Sequence, residues 1–155
     1  MVGLRRAIWE TYPLKISFKN SLCKPPPADY VGRAKSGAVC SLTGEWTAKS
    51  YLEVDHIVGN ASLREWEDVL PFIQHLCASQ DNMQLVSKDA HKIKSYAEKH
   101  NLSFEEAYVV KQVIKMIQEK KDKEFFIERD LEVPTNAVRR RISMIDILKK
   151  EYNLN

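Results

Sequence analysis

Four residues in the middle of the chain, Asp55, His56, Asn82 and His91, are of types that together could hydrolyse a phosphodiester bond. That reaction requires a deprotonated water in line with the leaving oxygen, neutralised charge on the phosphoryl oxygens and a stabilised 3′ oxygen. A neutral imidazole near pH 7 suits the first task. A divalent metal ion held by a carboxylate and an imidazole suits the other two, so the set indicates metal-assisted hydrolysis.

The elements around these residues have to bring them together. Residues 51–54 alternate in polarity and are rich in strand formers, which predicts a short strand ending at Asp55. Because adjacent residues at a strand end point to opposite sides, Asp55 can face a metal while His56 faces water across the phosphate. A second short strand is predicted at residues 83–86, directly after Asn82.

A helix is predicted to follow the second strand and to carry the second imidazole. Ser87 is a good N-cap for a helix that runs to about Glu98, with Asp89 in its first turn. His91 then lies one turn into this helix. From there it reaches the same metal as Asp55 if the helix packs against the two strands.

This order of residues resembles the HNH endonuclease family, whose core is the ββα-metal motif, or His-Me finger. The resemblance rests on three segments: Val54-Asp55-His56-Ile57, Asp81-Asn82-Met83-Gln84-Leu85-Val86 and Lys88-Asp89-Ala90-His91-Lys92-Ile93-Lys94-Ser95. It covers roughly residues 38–98 and looks similar to small phage-type members. It implies an α+β fold, with a short two-stranded antiparallel sheet and a helix embedded in a mainly helical chain.

The resemblance implies a role for each candidate residue. Asp55 and His91 would bind one divalent ion per active site, Mg²⁺, Mn²⁺ or another, and His56 would be the general base. Asn82 would brace the loop that carries His56. The expected partner is DNA, cleaved by nicking or on both strands, with products that carry 5′-phosphate and 3′-hydroxyl ends.

The sequence departs from the family at the structural zinc site that many members have. Those members carry two C-x-x-C pairs, whereas the matching positions here read Cys40-Ser41-Leu42-Thr43 and Val86-Ser87-Lys88-Asp89. We therefore predict no structural zinc. Packing by Trp46, Tyr51 and a helix inserted after His56 would have to hold the motif instead.

Five basic residues are the candidate DNA contacts: Lys92, Lys94, Arg139, Arg140 and Arg141. By resemblance, Lys94 would approach a phosphate. The three arginines begin a basic helix, from which they could bind phosphates along a groove. Both groups could equally be solvated helix faces, and the sequence leaves these alternatives open.

The chain divides into three predicted regions: an irregular arm with a proline-rich linker at 1–37, a nuclease core at 38–101 and a helical region at 102–155. Inside the core, the box Ser62–Glu65 predicts an inserted helix at about 62–78 that Pro71 kinks or divides. Its apolar face would comprise Leu63, Trp66, Leu70, Ile73 and Cys77.

In the third region, a second capping box, Ser103–Glu106, opens a long predicted helix. Its apolar face would comprise Ala107, Val110, Ile114 and Ile117. The basic helix with the three arginines is predicted at about 135–151, after Pro134.

Composition sets the broad class. The 155 residues carry a formal net charge of +3, which permits a nucleic-acid partner without requiring one. No apolar run could cross a bilayer, and the first residues do not read as a secretory signal. Three widely spaced cysteines argue against a disulfide framework, so we expect an intracellular, cytoplasmic setting, in a bacterial host cell if the protein is phage-encoded.

The expected function is therefore that of an HNH endonuclease. Two alternatives stay open at this stage. One is a catalytically silent DNA-binding or regulatory protein on the same scaffold. The other is an assembly protein whose C-terminal helices bind a partner. Besides DNA, the partners that the sequence leaves open are a second copy of the chain, in a homodimer, and a phage or host protein, and no membrane partner is expected.

Overall fold

The computed structural model describes residues 2–59 and 63–154 of an α+β protein. The chain forms two compact units, residues 1–91 and 92–155. Neither predicted boundary, at 37 or at 101, coincides with this division, which falls after His91.

The first unit contains three complete helices, the start of a fourth, and two antiparallel two-stranded sheets within its described part. Its elements in chain order are α1 (Val2–Thr11), α2 (Pro13–Leu22), β1 (Gly37–Val39), β2 (Trp46–Ala48), β3 (Leu52–His56), α3 (Val69–Leu76), β4 (Met83–Ser87) and α4 (Lys88–His100). β1 pairs with β2, and β3 pairs with β4. The division between the units falls within α4, after His91.

The hairpin-like pair β3–β4 is the strand pair that the sequence predicts, extended by one residue at the end of each strand. Its register places Val54 opposite Leu85 and Asp55 opposite Gln84. Burial alternates along β3, since Leu52, Val54 and His56 are buried while the two residues between them are partly exposed. This period of two gives the sheet one face toward the core and one toward solvent.

The prediction of an irregular arm at residues 1–37 is wrong for residues 2–11 and 13–22, which form α1 and α2. Pro13 is the first residue of α2, where its fixed φ suits a helix and its missing N–H is not needed. Trp9, Tyr12, Phe18 and Cys23 pack against the apolar face of the sheets. The buried residues on that face are Ala38, Leu52, Val54, Met83 and Leu85. The arm is therefore part of the core.

A backbone bridge joins the proline-rich segment to the first sheet. Lys24 N donates to Gly37 O at 2.7 Å, and Gly37 N donates to Lys24 O at 2.9 Å. A Cβ at Gly37 would lie 2.2 Å from the carbonyl oxygen of Thr47. Glycine is required here because two backbones approach each other too closely for any side chain.

The inserted segment differs in detail from its prediction. Ser62, the first residue of the expected capping box, lies outside the described residues. A short 3-10 helix at Trp66–Asp68 leads into α3, with Pro71 in its first turn, a position that a helix tolerates. The predicted apolar face is wrong: Trp66 and Leu70 are 84% and 64% exposed, whereas Phe72 and Leu76 are buried.

The predicted start of α4 is confirmed. Ala90 N donates to Ser87 Oγ at 3.1 Å, which is the hydrogen bond of an N-cap serine. Asp89 lies in the first turn, where a negative charge favours the helix dipole.

The second unit is helical beyond α4, as the sequence predicts. Its elements are α5 (Phe104–Gln118), α6 (Asp122–Ile127) and α7 (Ala137–Glu151). Its buried core comprises Val109, Val113, Phe125, Phe126, Met144 and Leu148. The capping box of Ser103 and Glu106 is present, and Asn136 caps α7. The fully buried positions of α5 are Ala107, Val109 and Val113. The predicted face is confirmed at Ala107, but Val109 and Val113 are buried in place of Val110 and Ile114.

Across residues 2–59 and 63–154, no helix combines the length and the apolar character that crossing a bilayer requires.

Candidate functional site

The strand pair and the helix that follows it bring Asp55 and His91 together. Asp55 lies on the solvent-side face of β3, and His91 lies one turn into α4, which begins directly after β4. His91 Nε2 lies 3.5 Å from Asp55 Oδ1. Only 14% of the Asp55 side chain is exposed, against 37% for His91. The two predicted metal ligands therefore face each other across a short, partly shielded gap.

Each of these two side chains is held by a neighbour on its far side. Glu53 Oε2 lies 2.8 Å from His91 Nδ1. The Gln84 side-chain amide donates to Asp55 Oδ2 at 3.1 Å. When His91 is neutral, Nδ1–H donates to Glu53 and Nε2 keeps its lone pair toward Asp55. The gap is thus lined by one carboxylate oxygen and one imidazole nitrogen with fixed orientations.

The sequence reasoning missed both holding residues, although each carried a signal. Glu53 precedes Asp55 by two residues on a strand, so both side chains lie on the same face. Gln84 stands directly opposite Asp55, which follows only once the register of β3 and β4 is known.

The gap between Asp55 and His91 fits a small divalent cation. Two adjacent ligands at about 2.1 Å from an octahedral ion lie about 3.0 Å apart, and about 3.4 Å apart around a tetrahedral ion. The observed 3.5 Å would have to shorten by about 0.5 Å or less. Within the described part of the chain, no third His, Cys, Asp or Glu side chain completes a metal-binding group with these two.

Asn82 ties down the loop that follows His56. Its side-chain Oδ1 accepts from Val58 N at 2.9 Å, and its Nδ2 donates to Val58 O at 3.4 Å. Its backbone oxygen accepts from Ile57 N at 3.0 Å. These three hydrogen bonds fix the chain at the end of β3.

His56 lies on the opposite face of β3, inside the core, and is only 5% exposed. Its ring packs between two others, with the Trp9 centroid at 4.2 Å and the His75 centroid at 4.6 Å. The Nε2 atoms of both histidines are shielded from solvent. The structure therefore does not bring His56 to the side of the sheet on which Asp55 and His91 meet.

The predicted DNA-contacting residues all belong to the second unit. Lys94 forms an ion pair with Glu98 at 3.2 Å, whereas Lys92, Arg139 and Arg141 are exposed. Arg140 is mostly buried and bound within its own unit, as its Nε donates to Asp122 Oδ2 at 2.6 Å. Its guanidinium also donates to the carbonyl oxygens of Pro134 and Thr135 at 2.9 Å. These contacts hold the Arg140 guanidinium within its own unit, so Arg139 and Arg141 are the more exposed of the three arginines.

Comparison with known proteins gives no match: no protein-family model, curated protein or solved structure is significantly similar to this chain.

Proposed function

We propose that this protein is a metal-dependent endonuclease that hydrolyses phosphodiester bonds in DNA on a ββα-metal core of the HNH type. One observation carries the proposal: an antiparallel strand pair followed directly by a helix sets Asp55 Oδ1 and His91 Nε2 at 3.5 Å. Each of these groups is also oriented by a second side chain, as metal ligands in proteins commonly are.

In this proposal Asp55 and His91 hold one Mg²⁺, Mn²⁺ or similar ion. When bound, the ion supplies positive charge for the phosphoryl oxygens and for the departing 3′ oxygen. Glu53 keeps the His91 proton on Nδ1, so that Nε2 remains a ligand. Gln84 orients the Asp55 carboxylate through its Oδ2 atom, and Oδ1 is the atom that we propose as the ligand.

His56 remains our candidate for the group that takes the proton from water. Its ring now lies in the core between Trp9 and His75, on the face of β3 away from Asp55. The assignment therefore requires that this ring stack opens when DNA binds. Asn82 would hold the adjacent loop in place while that happens.

A plasmid-nicking assay tests the proposal. We expect nicking with Mg²⁺ or Mn²⁺, none with EDTA, and a loss of about 100-fold or more in His56→Gln. His75→Gln is the matched control, because it alters the same ring stack without removing the candidate base, and it should stay within a few-fold of wild type. Metal-independent nicking, or full activity in His56→Gln, would contradict the mechanism.

The second candidate function is DNA binding without cleavage on the same scaffold. The burial of His56 between two rings favours it, since a general base has to reach the water that it deprotonates. Tight DNA binding with no nicking in Mg²⁺, Mn²⁺, Zn²⁺ or Ni²⁺ would select this function over hydrolysis.

A further inference from the structure

A cleft of about 530 Å³ opens beside the proposed metal centre within the first unit. Residues of α1, α2, β3 and α4 line it, including Trp9, Lys15, Lys19, Glu53, Lys88 and His91. Glu53 and His91 are also residues of the candidate site, so the cleft leads to that site.

Positive charge is concentrated around this cleft. Lys19 Nζ donates to the Leu52 carbonyl oxygen at 2.5 Å, which fixes the ammonium at the cleft wall. Burial lowers the pKa of Lys19 from its ordinary value, the Cys23 side chain opposes that shift, and three further lysines add to it. These three are Lys15, Lys49 and Lys88. The Lys19 ammonium is thus repelled by three others, and two of these, Lys15 and Lys88, line the same cleft.

The acidic groups at the cleft leave part of this charge uncompensated. Glu10 pairs with Lys15 at 3.2 Å, and Glu53 pairs with His91. Lys19 and Lys88 are held by neither of these carboxylates in the described contacts. A bound anion would relieve the repulsion, which gives the cleft a preference for phosphate groups.

We propose that this cleft binds the sugar–phosphate backbone of a DNA strand next to the scissile phosphate, chiefly through Lys19 and Lys88. The proposal rests on the proposed function and names the element, α2, that would seat the substrate. Lysines are point charges that suit sequence-independent phosphate contacts. A spread of cations over three elements fits a polyanion better than a single small anion.

Fluorescence anisotropy with a labelled DNA duplex in EDTA tests the proposal on the full chain, across a series of salt concentrations. Each lost phosphate contact lowers the slope of log K against log salt by about 0.9. We expect Lys19→Gln/Lys88→Gln to lower that slope by about 2 and to weaken binding at least fivefold near 0.1 M salt. Lys115→Gln/Lys123→Gln removes the same charge from exposed sites in the second unit. This control should change the slope by no more than about one half of a unit, and it should change the binding affinity by no more than about one half.

Each outcome of this experiment is decisive. If both double variants lose the same amount of slope and affinity, the effect comes from net charge alone and the proposal is overturned. Poly-glutamate that competes as well as DNA of equal charge would overturn the assignment of a nucleic acid. If Lys19→Gln unfolds the protein, as a thermal melt would reveal, the exposed Lys88→Gln alone should lower the slope by about 1.

The binding measurement is independent of hydrolysis. A protein that never nicks DNA but shows the predicted loss of slope would refute the nuclease proposal, while the cleft would stand as a binding site for the DNA backbone without a scissile phosphate. If the protein nicks DNA normally and the double variant has an unchanged slope, the proposal for the cleft is refuted and the nuclease proposal stands.

Discussion

Glu53 and Gln84 orient Asp55 and His91, the two proposed metal ligands. An imidazole can rotate and can carry its proton on either nitrogen, and both freedoms weaken metal binding. The 2.8 Å contact from Glu53 removes both, and the 3.1 Å contact from Gln84 restrains the Asp55 carboxylate. The two holding residues therefore belong to the site as much as the ligands do.

We predict that Glu53→Ala lowers the affinity for Mn²⁺ by about 10- to 100-fold, the usual effect of losing such a partner. Glu53→Gln should recover much of this loss, since its amide oxygen can still accept from Nδ1–H. Asp55→Ala should abolish binding. Titration calorimetry measures all three affinities without relying on cleavage.

Glu10→Gln is the matched control for this series. Glu10 is a carboxylate at the same cleft, but it pairs with Lys15 instead of His91. It should bind Mn²⁺ like wild type. Wild-type affinity in Glu53→Ala would show that Glu53 does not position His91.

The contact between Arg140 and Asp122 makes a prediction about pH. The hydrogen bond from Arg140 holds the pKa of Asp122 below its ordinary value, while burial opposes the shift. Because the folded pKa is the lower one, the contribution to stability is present above the unfolded pKa of about 4 and is lost as pH falls through the folded pKa. Asp122→Asn should lower the free energy of unfolding by about 1 kcal/mol at pH 7.

Urea unfolding at a series of pH values measures this effect. The difference between wild type and Asp122→Asn should shrink as pH falls below about 4. Asp146→Asn, an exposed carboxylate on α7, should match wild type throughout. A difference that is the same at pH 7 and pH 3 would mean that the ionised carboxylate is not what Arg140 stabilises.

At the scale of elements, β3, β4 and α4 could be predicted because local signals and tertiary packing agree. Alternation predicts the strands, and a serine cap with an acidic first turn predicts the helix. α1 and α2 were not predicted, because the run of three prolines that follows them indicates an extended chain. The proline at the first position of α2 is the signal that could have found that helix.

The inserted helix shows why a periodic pattern does not fix a buried face. Its sequence offers two apolar registers, one through Leu70 and Ile73 and one through Phe72 and Leu76. Local periodicity cannot choose between them, and packing within the first unit selects the second. Periodicity along β3 likewise predicts only part of the observed arrangement, although here the reason is the two-residue period itself. The two-residue period separates Asp55 from His56 correctly, but it also puts His56 with Leu52 and Val54, on the core side.

At the scale of the whole molecule, each unit has a hydrophobic core of its own. Leu85 is buried in the core of the first unit, and Met144 in that of the second. Asp55, His91 and the two residues that hold them all fall within residues 1–91. The helix that carries His91 continues past that boundary, which raises the question of whether the proposed metal site depends on the second core.

Large-to-small substitutions in the two cores test that dependence. Met144→Ala and Leu85→Ala should each lower the free energy of unfolding by about 2 to 5 kcal/mol, the usual loss for a buried side chain of this size. Met144→Ala should nevertheless bind Mn²⁺ within about twofold of wild type at 25 °C, because its cavity forms in the second core. Leu85→Ala should lose affinity for Mn²⁺ about tenfold or more, because it loosens the strand that carries Gln84.

Calorimetry and urea unfolding on the same samples separate the loss of Mn²⁺ affinity from the loss of stability. If Met144→Ala loses metal affinity as severely as Leu85→Ala while still folded, then the second core positions His91, and α4 couples it to the site.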